Sequence, residues 1–320
     1  MASLKSKILG HEDQLHQWSR LLQEGRLTGA FLFVGPPGVG KMKAAWAFAQ
    51  EALCENRAQA PCGACGSCRR VEHHQHESVL MIQPDGAQIK VEQAHQVLEF
   101  LHLQSLNTHR FVLIDEASKL NPAAANSLLK TLEEPPEGTT LILTAPSVSS
   151  VLPTIRSRSR VFHFTPVAPE LMLRHQVAAE WAIWASQGRF DRLTALGNSE
   201  SRELRQKWAQ FLVEFLLGPE MLTEETWRDK LKNRDEVRAA VEIWLGLIRD
   251  ALFLQQGEQK SLLNLDLKSV LAQLSQIPTE VLHRVGQSLL QFQKELSFNK
   301  DAVLSLESLY IQTQRESIGR

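Results

Sequence analysis

Residues 31–41 constrain this chain more than any other stretch. The apolar run Phe31-Leu-Phe-Val34 leads directly into Gly35-Pro-Pro-Gly-Val-Gly-Lys41, and a helical pattern from Lys43 to Cys54 follows. Strand, glycine loop and helix in that order make a phosphate-binding loop. The glycines let backbone N–H groups converge on phosphate oxygens, and the helix N-terminus adds a positive end. The candidate phosphate-binding residues are Gly35, Pro36, Pro37, Gly38, Val39, Gly40, Lys41 and Met42, with Lys41 reaching the terminal phosphates. Met42 stands where the pattern wants Ser or Thr. A thioether is a poor ligand for hard Mg²⁺, so phosphate binding is separable here from Mg²⁺-dependent hydrolysis. Whether ATP or ADP binds, and whether Mg²⁺ is retained, both stay open at this point.

The rest of the first half agrees with such a loop. Val79–Ile82, Phe111–Ile114, Leu141–Leu143 and Val161–Phe164 are short apolar runs separated by segments long enough for crossover helices. Continuous apolar runs of this kind are what buried parallel strands need, which predicts an open α/β sheet. The third strand candidate ends in Asp115-Glu116, at the strand end where such sheets carry their sites. In phosphate-loop proteins an Asp here holds Mg²⁺ through water and a Glu polarises the attacking water. Beside Met42, the pair reads as an ATPase site that has lost one ligand and kept the others.

All four cysteines lie between Cys54 and Cys68, in the pattern C-x7-C-x2-C-x2-C. Cys54, Cys62, Cys65 and Cys68 suit a closed tetrahedral Zn²⁺ site of structural type, with Gly63, Gly66 and Ser67 permitting the turns. His73, His74 and His76 follow closely, but four thiolates already complete the shell, and the histidines are expected to be a solvated run.

After Phe164 the strand signals fade. Thr165-Pro166 and Pro169 mark a linker, residues 169–199 read as a small helical unit, and the remainder shows helical apolar spacing, as in Trp208, Phe211, Leu212, Phe215 and Leu216. Thr279 is a candidate N-cap. The 320 residues carry a net charge of −1, which gives no overall pull toward nucleic acid, so any DNA contact must be local or shared with partners. No run of 18 apolar residues occurs and the N-terminus lacks the apolar core of a secretory signal, so the expected address is the cytoplasm, without a membrane.

Together these features resemble the bacterial clamp loaders, a branch of the AAA+ proteins that includes the gamma/tau and delta-prime subunits of DNA polymerase III. The resemblance rests on Ile8-Leu-Gly-His11, on the cysteine insertion, and on Ala123-Ala-Ala-Asn-Ser-Leu-Leu-Lys-Thr-Leu-Glu-Glu-Pro-Pro136. Ile155-Arg-Ser-Arg-Ser159 is similar to the family's Ser-Arg-Cys motif, with Ser159 in place of Cys. It implies that Arg158 is an arginine finger acting in trans on a neighbour's ATP site, with Arg156 and Arg160 as competitors. Residues 299–309 resemble the family's closing collar helix.

The resemblance implies an AAA+ domain over residues 1–166, a helical lid over 167–200 and an all-α collar over 201–320. Met42, the chain's length and the cysteine module favour a delta-prime-like subunit with little ATPase of its own. Its implied partners are gamma/tau and delta subunits and, through the complex, a sliding clamp and primer–template DNA. An ATP-hydrolysing gamma/tau-like subunit and a non-replicative AAA+ binding module remain as alternatives. Thr144 is the candidate for the family's first sensor, and Arg189 and Arg192 for its second.

Overall fold

The computed structural model describes residues 3–102, 109–197, 199–218, 234–259, 262–295, 306, 308, 310 and 311. Its contacts group the chain into two compact units, residues 1–175 with 188–191, and residues 176–187 with 192–320.

The first unit is built on five parallel strands, β1 (Gly29–Val34), β2 (Val79–Ile82), β3 (Arg110–Ile114), β4 (Thr139–Ala145) and β5 (Ser159–His163), in the order β2-β3-β4-β1-β5. This is the open parallel α/β sheet expected from the apolar runs, with β2 at its expected bounds and the other strand bounds shifted by at most two residues. Alternation along β1 explains why that run is apolar throughout. Phe31 and Phe33 join Trp18, Phe48 and Phe111 in one core, while Ala30, Leu32 and Val34 join Val112, Leu141 and Leu143 in another. The first core packs α1 (Glu12–Gln23) and α2 (Lys41–Leu53). A short α3 (Gly66–Glu72) follows α2, and the second core packs α4 (Val91–His102) and α5 (Pro122–Glu133). The Asn121 side chain accepts from the Ala124 N–H at 2.7 Å, and Pro122 occupies the first turn, which fixes where α5 begins. Next come α6 (Pro153–Arg156), which precedes β5, and α7 (Pro169–Arg174).

Helices α8 (Glu180–Ser186) and α9 (Phe190–Leu196) follow, and the boundary between the units falls within α9. The second unit is helical: α10 (Ser199–Leu217), α11 (Arg234–Gln255), α12 (Lys268–Leu274) and α13 (Thr279–Glu295). Trp208, Phe211, Phe215, Trp244 and Leu247 form its centre, with the Trp244 indole donating to Trp208 O at 2.8 Å. Asp250 is fully buried and its Oδ2 accepts from the Leu263 and Asn264 N–H groups and from Asn264 Nδ2, so the charge has partners.

Thr279 corrects an expectation. It is the first residue of α13, and its hydroxyl donates to Gln255 Oε1 at 2.8 Å, tying α13 to the end of α11. The expected closing helix over 299–309 lies, except for Leu306 and Ser308, outside the described residues. Among the described residues no helix is long and apolar enough to cross a membrane.

Candidate functional site

The loop after β1 and the ends of β3 and β4 enclose a cleft of about 410 Å³. Gly38, Gly40, Lys41, Met42, Asp115, Glu116 and Thr144 are among the residues lining it. Two glycines are required by geometry. At Gly35 (φ 156°) a Cβ would lie 2.0 Å from Phe164 O, a backbone atom that cannot step aside. At Gly38 (φ 73°) it would collide with the Asp191 carboxylate. The Phe190 N–H donates to Gly38 O at 2.8 Å, and the Asp191 carboxylate is held by Arg189, with Nη2–Oδ2 at 2.6 Å. On the loop's other side, His11 Nε2 meets Val39 O at 2.9 Å, and the His11 ring packs edge-on to Phe164.

Lys41 is the first residue of α2, two residues before the expected helix start, and its Nζ donates to Gly35 O at 2.6 Å and Pro36 O at 2.8 Å. Burial pushes its pKa below the ordinary lysine value, against the attraction of Asp115 and Glu116. Met42 follows and packs against the apolar core of the first unit. Asp115 Oδ1 accepts the Thr144 hydroxyl at 2.6 Å, and Thr144 Oγ1 in turn accepts the Glu116 N–H at 3.0 Å. Thr144 is buried on β4 next to β3, so strand order brings this contact about. Glu116 has left-handed backbone (φ 51°), and its carboxylate pairs with Lys119. Lys41, Asp115, Glu116 and Thr144 are thus gathered in one cleft, with the Met42 thioether beside them. Of the two candidates for the second sensor, Arg189 comes to the loop through Asp191. Arg192 belongs to the second unit, where it pairs with Glu242.

The four cysteine sulfurs all lie within 4.8 Å of one another, and the Cys62 and Cys68 sulfurs are 3.9 Å apart. Tetrahedral thiolate coordination of zinc at about 2.3 Å would set sulfurs about 3.8 Å apart, so the spacing fits. Backbone N–H groups point at the sulfurs. Cys62 N donates to Cys54 Sγ at 3.4 Å, Cys65 N to Cys62 Sγ at 3.3 Å and Cys68 N to Cys65 Sγ at 3.4 Å. Such donors stabilise thiolate, and those from Ala64 and Cys65 pull the Cys62 thiol down to about 6. Burial pushes Cys54 and Cys68 up. The four residues are compatible with a structural metal site.

The histidine run needs correction. His73 and His74 are exposed, His74 stacking on Trp46 at 4.1 Å, but His76 is buried. Its Nδ1 accepts from the Ser78 N–H at 3.1 Å, which leaves Nε2 to donate to Ser67 Oγ at 3.0 Å. Ser67 in turn donates to Leu53 O at 2.7 Å. This chain ties α3 to the end of α2, so His76 supports the cysteine module from outside its ligand set. Gln50 does the same from α2: its Nε2 donates to Cys68 O at 2.9 Å and its Oε1 accepts from Leu4 N at 2.8 Å. The sequence carries a signal for this role, since Gln50 and Glu51 interrupt an otherwise apolar helical stretch.

Arg158 lies between α6 and β5 and is partly exposed. Its Nε donates to Glu133 Oε1 at 2.6 Å and its Nη1 to Thr154 O at 2.8 Å. Arg156 is exposed on α6, and the Arg160 guanidinium sits 5.9 Å from the Phe31 ring centroid.

The chain is similar to subunits of one bacterial replication enzyme. A family model described as "DNA polymerase III, delta subunit" matches residues 10–168, and its C-terminal counterpart matches 228–310. The DNA polymerase III subunit delta' of Bacillus subtilis is 27% identical over 306 residues, covering 92% of this chain and 93% of that one. Its Pseudomonas aeruginosa counterpart is 36% identical over 145 residues, 44% of each chain. The tau subunit of Escherichia coli is 36% identical over 173 residues, covering 53% of this chain but 26% of tau. The chain belongs to the clamp-loader family of DNA polymerase III subunits, as a delta-prime subunit related to gamma/tau.

Proposed function

We propose that this delta-prime subunit acts as the stator of a sliding-clamp loader and supplies Arg158 to the ATP site of a neighbouring gamma/tau subunit. The observation that carries the reading is Met42, a half-buried thioether that lines the cleft and packs against the core at the position where a hydroxyl should hold Mg²⁺. The chain's own cleft then keeps its phosphate loop, Gly35 to Met42, for ATP or ADP, while turnover belongs to a neighbour. Asp115 and Glu116 persist as a carboxylate pair short of one metal ligand. Cys54, Cys62, Cys65 and Cys68 hold a structural Zn²⁺. Residues 1–166, 167–200 and 201–320 serve as AAA+ domain, lid and collar. Gamma/tau and delta subunits are the direct partners, and the sliding clamp and primer–template DNA are engaged through the assembly.

The test is a complex reconstituted with gamma/tau and delta subunits of the same organism. Arg158→Ala should lower clamp- and DNA-stimulated ATP turnover by about 10³-fold while gel filtration shows intact assembly, in line with other arginine fingers. Unchanged turnover would remove Arg158 from that role and turn attention to Arg156 and Arg160. A second reading, ATP hydrolysis by this chain itself, draws support from the ordered Asp115–Thr144 contact. It requires turnover by the isolated chain that is abolished by Lys41→Ala.

A further inference from the structure

We infer that Glu133 is the positioning residue for the Arg158 guanidinium, a role that rests on the reading of Arg158 as a finger. Glu133 closes α5, and Arg158 follows α6, 25 positions later in the chain. The Glu133 carboxylate takes the Nε–Nη2 edge of the guanidinium, with the Nε bond at 2.6 Å and a second contact from Nη2 to the same Oε1. Nη1 is held only by neutral acceptors of its own segment, Thr154 O at 2.8 Å and Ser157 Oγ at 3.2 Å.

A guanidinium presents two forks of paired N–H groups, and a phosphoryl group in trans needs one of them whole. Glu133 occupies one fork and so fixes the plane and direction of the other, the Nη1–Nη2 edge. That edge is freed by giving up neutral contacts alone. Without the carboxylate, a long side chain rich in rotamers would have to be ordered afresh at each engagement. The same residue explains a local choice in the sequence: the acidic pair Glu133-Glu134 ends a helix at its C-terminus, where acid is unfavourable to the helix dipole. An ion pair with Arg158 offsets that cost.

The experiment uses the reconstituted complex with Glu133→Ala, Glu133→Gln and Arg158→Ala. Expected is a fall in turnover of about 10- to 100-fold for Glu133→Ala, with the KM for ATP unchanged and assembly intact. Glu133→Gln, whose Oε1 still accepts from Nε, should recover most of that loss. The isolated chain supplies a readout independent of assembly. The Arg158 Nε–H resonance should be shifted and slow to exchange in wild type, and ordinary in Glu133→Ala. Turnover of Glu133→Ala equal to or above wild type, no rescue by Gln, or an Nε–H signal indifferent to residue 133 would each overturn the inference. Should Arg158→Ala itself leave turnover unchanged, the finger reading fails first. The resonance then still decides whether Glu133 holds the arginine at all.

Discussion

The cysteine module and the phosphate-loop cleft sit at opposite ends of the same helix, α2, and they differ in completeness. The module has all the donors its chemistry needs: four sulfurs within 4.8 Å, three of them receiving N–H bonds from within the module. The cleft has its backbone cradle, Lys41, Asp115, Glu116 and Thr144, but a thioether where a hydroxyl belongs. A structural site cannot lose one ligand of four and remain tetrahedral. A nucleotide site can lose one metal ligand and keep its shape, because its shape comes from glycines and strand ends. The contrast leaves α2 with a full set of sulfur donors at its C-terminal end and, at its N-terminal end, a loop whose following residue is a thioether in place of a hydroxyl.

The largest expected effect breaks the complete site. Cys68→Ser should abolish stoichiometric zinc in the purified chain and lower stability by about 3 kcal/mol or more, read from metal analysis and a denaturant melt. Chelation of the wild type should reproduce the melt. Full stability without metal would mean that the thiols merely pack, and the contrast would collapse.

Next comes the part of the cleft that does not depend on Met42. Thr144→Val keeps the buried shape but removes the donor to Asp115 Oδ1 and the acceptor for the Glu116 N–H. The expected cost is about 1–2 kcal/mol in a urea melt. A neutral result would make the Asp115–Thr144 contact incidental, and with it the support for hydrolysis by this chain.

Much of this comparison is legible without any fold, and the reason is locality. The phosphate loop is seven consecutive residues, the cysteine module spans fifteen, and a buried parallel strand such as Phe31–Val34 announces itself as an unbroken apolar run. What stays hidden depends on pairing between distant segments. The Thr144 hydroxyl reaches Asp115 only because β4 lies beside β3, and in the sequence the following Ala145-Pro146 blurs the register of Thr144. Asp191 meets Gly38 across more than a hundred residues of chain, with no motif to join them. His76 defeats the sequence reading because a histidine run looks solvated, whereas its burial follows from the turn into β2 and the bond to Ser67.

Restoring the missing ligand would sharpen the contrast from the other side. Met42→Thr places a hydroxyl at the Mg²⁺ position, and Mg²⁺-dependent ATP affinity should tighten about tenfold, or about 1.4 kcal/mol, by calorimetry. An affinity that does not respond would move the defect from Met42 to the Arg189–Asp191 pair seated against the loop at Gly38.

The smallest effect tests whether the complete site is as self-contained as its four sulfurs suggest. Burial holds His76 below the usual histidine pKa, against the pull of Glu77, and burial does the same to His109. A group depressed on folding binds more protons when unfolded, so its contribution is full above the unfolded value near 6.5 and is lost as pH falls through the folded value. Stability should therefore decline on acidification below about pH 6.5. His76→Asn keeps an acceptor for the Ser78 N–H but cannot reach Ser67, and should cost about 1 kcal/mol at pH 7.5. It should also make the decline below about pH 6.5 shallower, while the contribution of His109 stays. Urea melts of both proteins across that range decide the matter. An unchanged slope would show that His76 opens to water as the pH falls and that the module stands on its thiols alone. The shallower slope would extend the module to the His76–Ser67–Leu53 chain and make it larger than its ligand set.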